Sequence, residues 1–189
     1  RPAHMDYVGI KEFNKKGEVV GEHRFIGLYS ASFYNSSATQ IPVLKEKIER
    51  VCSLSGFQPG THAYKAFVNI IETYPRDEIL QSTDAELTQI VLGIFKMQER
   101  GITRLFMRKE IFGRFISCMV FVPHEKYNTA LRKETQALLK QAFGSEKDVE
   151  FTTYFSESVY ARTHYIAQVQ DNNVEYDVKE IENNIIELT

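Results

Sequence analysis

The stretch that decides the fold is Arg104–Pro123, "RLFMRKEIFGRFISCMVFVP". Two strand-like runs, "RLFMRKE" and "RFISCMVFVP", flank "IFG", and the pattern predicts a β-hairpin. The second run is apolar at both parities from Phe115 to Val122, the pattern of a central strand covered on both faces. Pro123 ends it, because proline cannot donate to a ladder. The first run sets Arg104, Arg108 and Lys109 beside Leu105 and Phe106. It reads as an edge strand whose charged outer face blunts the edge.

Downstream, Asn128 to Phe143 carries Leu131, Leu138, Leu139, Ala142 and Phe143 at helical spacing, closed by Gly144. Two further strands follow, "VEFTTYFS" and "VYARTHYIAQV". In the second, Val159, Ala161, Thr163, Tyr165, Ala167 and Val169 alternate with polar or larger residues. That places His164 on the opposite side, facing solvent. "QDNN" is a loop, and Asp177 with Glu180 caps a last helix carrying Ile181, Ile185 and Leu188.

Upstream the period is 3.6. Ile41–Ser55 carries Leu44, Ile48, Val51 and Cys52 in one stripe, and Gly56 stops it. Thr61 caps a second helix with Tyr64, Phe67, Val68 and Ile71 inward. Thr83 and Glu86 have capping-box spacing for a third, with Leu87, Ile90, Val91, Ile94 and Phe95 inward. Before these, "DYVGIKEF" and "EHRFIGLYS" flank "NKKGE" as a second hairpin, with Gly17 supplying the positive φ of its turn.

The order ββ-ααα-ββαββ-α segregates strands from helices and predicts an α+β fold. The expected architecture is an antiparallel sheet with helices packed on one face, ferredoxin-like or ACT-like, plus a three-helix connecting segment. The expected division is 1–35 for a hairpin segment completing or flanking an ACT-like sheet, 36–101 for the helical segment, and 102–189 for the ACT-like ββαββ domain with its terminal helix.

Bulk properties bound the function. A chain of 189 residues buries roughly 70% of its unfolded surface, so a core forms without disulfides or metal. A net charge of −2 argues against a general nucleic-acid binder. Cys52 and Cys118 lack metal-ligand spacing and a disulfide framework, and read as two buried thiols in a reducing, cytoplasmic compartment. No apolar run reaches the roughly 18 residues of a membrane span, and no secretory signal pattern is visible. The opening "RPAHM", tag or native, gives the chain the look of a piece of something longer.

Three candidate sites arise. "NIIETYPRDEIL" (Asn69–Leu80) gathers Glu72, Arg76, Asp77 and Glu78, which with His124 could serve a small free-standing enzyme as acid, base and pKa-lowering cation. The simpler reading is a helix joint: Pro75 ends one helix at Tyr74, and Asp77 and Glu78 suit the positive end of the next short turn. Arg104, Arg108, Lys109 and Arg114 among Phe106, Phe112 and Phe115 have the interleaving of a single-stranded nucleic-acid platform, or equally of a hairpin's charged face. A stand-alone module binding amino acids is the remaining alternative. His4, His23, His62, His124 and His164 share no metal-ligand spacing. No G-x-S-x-G, G-x-G-x-x-G or P-loop occurs, so nothing here cradles a dinucleotide. The expected catalytic, cofactor and metal residues in this chain are none.

"DYVGIKEFNKKGEVVGEHRFIGLYS", "NIIETYPRDEIL" and "RLFMRKEIFGRFISCMVFVPHEKYNTALR" together resemble the N-terminal half of the large bacterial NAD-specific glutamate dehydrogenases. The likeness runs from about Asp6 to Val169 and is weaker after Gln170. It implies a non-catalytic piece, with ACT-like and helical motifs, of an enzyme that deaminates glutamate to 2-oxoglutarate with NAD. The same resemblance implies partners among the other domains of one long chain, a homo-oligomeric parent and a possible amino-acid effector, with no nucleic acid and no membrane. No catalytic or NAD-binding residue transfers, because the motifs that carry them are absent.

Overall fold

The computed structural model describes residues 5–97, 100–154, 158–170 and 175–189. Within them lie a two-stranded ribbon, a helical segment and a four-stranded sheet backed by two more helices.

Strands β1 (Asp6–Phe13) and β2 (Val19–Gly27) pair antiparallel, with Tyr7 opposite Ile26 and Ile10 opposite His23. Gly17 turns the ribbon at φ 80°. The ribbon does not join the four-stranded sheet. Both of its faces are open: Val8, Ile10 and Phe25 stand exposed on one, and Tyr7 and Ile26 on the other.

A short helix not anticipated from the sequence, α1 (Ala31–Asn35), follows, capped by the Ser30 side chain. After a 3-10 turn at Ala38–Gln40 come α2 (Pro42–Leu54), α3 (His62–Thr73), α4 (Arg76–Gln81) and α5 (Asp84–Met97). The short turn expected after Pro75 is α4. The stripe Leu44, Ile48, Val51 and Cys52 is buried as its spacing required, and so are Phe67, Ile71, Leu87, Ile90, Val91 and Ile94. Thr83 and Glu86 close a full capping box: Thr83 N donates to Glu86 Oε2 at 2.8 Å, and Glu86 N to Thr83 Oγ1 at 3.2 Å.

Strands β3 (Arg104–Lys109), β4 (Phe115–Pro123), β5 (Glu150–Tyr154) and β6 (Tyr160–Gln168) form the order β3-β4-β6-β5, antiparallel throughout. Helix α6 (Thr129–Ala142) links β4 to β5, and α7 (Val178–Leu188) follows β6. Each helix therefore follows a strand whose parallel neighbour lies one strand away, with an antiparallel strand between. One complete split β-α-β unit, β4-α6-β5, together with the pair β6-α7 beside β3, makes the ferredoxin-like layer plan. The chain enters it at a different strand from the strict βαββαβ order, so the repeat is hidden in the sequence.

As expected of a central strand, β4 is buried along its whole length. Its even residues Ile116, Cys118, Val120 and Val122 pack with Leu131, Leu139, Phe143, Tyr165, Ile181 and Ile185 under α6 and α7. Its odd residues Met119 and Phe121 join Tyr160 in the core built by α2–α5. The helical segment thus covers the second face of the sheet. Gly93 of α5 permits this approach, since a Cβ there would lie 2.5 Å from a Phe106 ring carbon. Leu188, expected inward on α7, is exposed, while Ile181 and Ile185 hold the helix down.

Candidate functional site

The charged joint "ETYPRDEIL" does not assemble one site; its four charged side chains go three ways, Glu72 and Arg76 together to residues 36–39. Glu72 turns back to the 3-10 turn, accepting from Ser37 Oγ at 2.6 Å, Ala38 N at 2.9 Å and Thr39 N at 3.2 Å. Those bonds outweigh the cost of its partial burial and hold its carboxyl below the usual range. Arg76 donates to three backbone carbonyls, Glu72 O at 2.8 Å, Ser36 O at 3.1 Å and Tyr74 O at 3.5 Å, with the Glu72 carboxylate 3.6 Å away. Asp77 accepts from the Tyr34 hydroxyl at 3.0 Å, and burial pushes its carboxyl up.

Glu78 goes to the sheet. It is 3% exposed, and both of its oxygens face Arg108 of β3: Arg108 Nε donates to Oε2 at 2.9 Å and Nη2 to Oε1 at 2.8 Å. Arg108 also donates to Gln81 Oε1 at 3.0 Å. His164 of β6 brings Nε2 to 3.6 Å from Glu78 Oε1 and shares a 2.8 Å hydrogen bond with Ser117 Oγ of β4. Burial alone would raise the Glu78 carboxyl; His164 and Arg108 outweigh it and hold it well below the usual range, at about 2.

Two sequence expectations are corrected here. Arg108 does not lie on a charged outer face; it is buried at 5% exposure. Nor does His164 face open solvent, because the helical segment packs on the side of β6 opposite the small residues. Arg104 and Lys109 do lie exposed on the edge strand. Arg104 pairs with Glu182 at 3.3 Å and Arg114 with Glu110 at 2.8 Å. Each arginine of the supposed nucleic-acid platform therefore has a carboxylate of its own. His124 stands exposed in the 3-10 turn His124–Lys126 at the end of β4, away from the Glu78 cluster in the fold.

Several residues of this interface went unmarked in the sequence. Lys47, buried on α2, donates to the carbonyls of Leu80 and Ser82 and so caps the end of α4. The Tyr160 hydroxyl donates to Met97 O at 2.9 Å and accepts from Ile102 N at 3.3 Å, tying α5 to the sheet. Arg162, two residues before His164, lies over the Tyr154 ring at 4.9 Å. Its buried Nε has no hydrogen-bond partner. The available signal was Ser117, a polar residue in a fully apolar strand, and the alternation that puts Arg162 and His164 on one face.

Among the described residues no cluster of His, Cys, Asp and Glu is grouped to hold a metal, and no helix is long and apolar enough to cross a membrane. Cys52 and Cys118 are free and buried in separate cores.

The sheet order, the two helices on one face and the helical segment on the other define an ACT-like α+β domain joined to a helical motif. Two family models match these two units: "Glutamate dehydrogenase, helical motif 1" over residues 41–100, and "Glutamate dehydrogenase, ACT2 domain" over 104–189. Together they take in most of the chain, which belongs to the NAD-specific glutamate dehydrogenase family. It is 40% identical to the NAD-specific glutamate dehydrogenase of Halomonas elongata over 189 residues, all of this chain and 12% of that protein. It is 38% identical to that of Pseudomonas aeruginosa over 188 residues, 99% of this chain and 12% of the relative. The enzyme of that name from Mycobacterium tuberculosis is 28% identical over 167 residues, 88% of this chain and 10% of the relative. The chain therefore spans about an eighth of the length of the Halomonas and Pseudomonas relatives.

Proposed function

We propose that this chain is the N-terminal, non-catalytic regulatory and oligomer-holding region of an NAD-dependent glutamate dehydrogenase. The parent protein would convert L-glutamate, NAD and water to 2-oxoglutarate, ammonia and NADH in the cytoplasm, with NAD bound outside residues 1–189. In this reading the helical segment 36–101 connects the ribbon segment 1–35 to the ACT-like domain 102–189. The partners are the other domains of the long chain and further copies of it, with an amino acid as the candidate effector. An effector regulates only by binding one state better than another.

The observation that carries the reading is that two glutamate dehydrogenase models match consecutive units of this chain, neither of them a dinucleotide-binding unit. The bidentate Glu78–Arg108 pair supports it further. It fastens the helical motif to the sheet, so a displacement of one is imposed on the other.

The test is glutamate-dependent NAD reduction by the full-length gene product and by residues 1–189. Turnover in the long protein and none in the short one is the expected outcome. No turnover in the full-length product overturns the assignment to a glutamate dehydrogenase, and turnover by residues 1–189 alone overturns the non-catalytic role.

A further inference from the structure

The ribbon β1–β2 carries apolar surface that the described residues leave open. Val8, Ile10 and Phe25 share one face; Tyr7 and Ile26 stand directly opposed on the other, Ile26 at 65% exposure. Charges on the strands are met within the ribbon: Glu22 pairs with Arg24 at 2.9 Å, and His23 lies 3.9 Å from Glu12. What is left over is apolar side chains on both faces. Along both edges, moreover, no third strand pairs with the ribbon among the described residues. A lone two-stranded ribbon is marginal in water, and an open edge is a template for a further strand. The base of the ribbon, by contrast, is fixed. Asp6 Oδ2 accepts from Tyr29 N at 3.4 Å, Tyr29 stacks on Phe33 with ring centroids 4.2 Å apart, and Phe33 packs against the core of α2–α5. The ribbon therefore stands on the helical segment, whereas α7, from which any following chain departs, lies on the opposite face of the sheet. The order β1-β2-α1, hairpin then helix, repeats that of β5-β6-α7, whose hairpin is half of a four-stranded sheet.

We propose that β1–β2 is the closing hairpin of an upstream sheet, covered by the stretch of the same polypeptide that lies N-terminal to residue 1. The chain spans about an eighth of its Halomonas and Pseudomonas relatives, so most of the polypeptide lies outside it. The family models place that remainder: the sheet domain is the second ACT domain and the helices before it are motif 1, which puts a first ACT domain ahead of the helices, on the side of the ribbon. A tethered neighbour meets the ribbon at high effective concentration. A second copy of the ribbon, laid face to face, would cover one apolar face and leave the other wet. The inference rests on membership of the family and not on the regulatory role.

The test is photo-crosslinking in the full-length gene product, with Phe25→p-benzoylphenylalanine on one face of the ribbon and Tyr7→p-benzoylphenylalanine on the other. Isotope-labelled and unlabelled copies are mixed, so that links within a chain and links between copies separate by mass. The expected result is links to peptides N-terminal to residue 1 of the same chain. Links only to a second copy, links only to chain beyond residue 189, or no links at all overturn the proposal. Hydrogen exchange gives a second reading that needs no substitution: the ribbon amides should exchange at least about tenfold more slowly in the full-length product than in residues 1–189. Equal rates overturn the proposal. Glutamate-dependent NAD reduction is scored on the same unsubstituted product, so that failure of the enzyme assignment and failure of the upstream partner are separate results.

Discussion

Arg108 and Glu78 meet as a two-pronged ion pair, 2.9 and 2.8 Å at the two contacts, although 30 residues separate them along the chain. One sits on an edge strand and the other on a six-residue helix. Both are almost fully buried, so each is neutralised only by the other and by nearby polar groups. Removing one partner strands a charge, at a cost of roughly 3–5 kcal/mol. Glu78→Gln and Arg108→Met are each expected to lower the urea-unfolding free energy by an amount in that range. Replacing both by apolar residues together should cost far less than the sum.

The same pair sets the acid limit of the fold. Glu78 has its folded carboxyl held at about 2, below its ordinary value. A depressed carboxyl contributes stability that is fully present above its unfolded pKa and disappears as pH falls through the folded value. Glu72, Glu86 and Glu110 are shifted the same way, whereas Asp77 is shifted oppositely. Stability should therefore fall as pH drops from the ordinary carboxylate range toward 2, and the Glu78→Gln chain should show a shallower acid limb. Unfolding free energies measured across that range check it; identical pH slopes in both chains would contradict it.

Cys52 and Cys118 are buried in different cores, and burial pushes both thiols up. Thiolate, not thiol, is the nucleophile. Folded protein at neutral pH should react slowly with iodoacetamide at both positions, and unfolding in urea should expose both together. Rapid modification of either in the native state would contradict their placement.

The ribbon β1–β2 is expected to contribute almost nothing to the stability of this chain. Val8, Ile10 and Phe25 are exposed on one of its faces, and an isolated two-stranded hairpin is marginal in water. Ile10→Thr and Phe25→Ser should change the unfolding free energy by about 0.5 kcal/mol or less. By contrast Ile71→Ala, at a fully buried position of α3, should cost roughly 2–5 kcal/mol.

Much of this fold was legible because its signals are local. The stripe on α2, the Thr83–Glu86 box, the Asp177 cap and the doubly apolar β4 each depend on residues a few positions apart. What stayed hidden was pairing over distance. Nothing near Glu78 announces Arg108, and the acid at the start of a short helix had a sufficient local explanation in the helix dipole. The alternation in β6 holds, but its polar face is not a solvent face. It is the face on which the helical segment lies, so His164 and Arg162 are interface residues. The ferredoxin-like repeat was obscured by the strand at which the chain enters it. The three-helix segment was visible as helices, whereas its docking on the sheet rests on Gly93, Phe106 and Tyr160, which carry no such pattern.

Helical motif and sheet form one mechanical unit through Glu78 and Arg108. A double-mutant cycle on residues 1–189, with Glu78→Gln, Arg108→Met and the pair combined, tests it most directly. The expected result is one cooperative unfolding transition and a coupling energy of about 2 kcal/mol or more between the two sites. Additive effects, or a helical segment that unfolds separately from the sheet in the native chain, would contradict it.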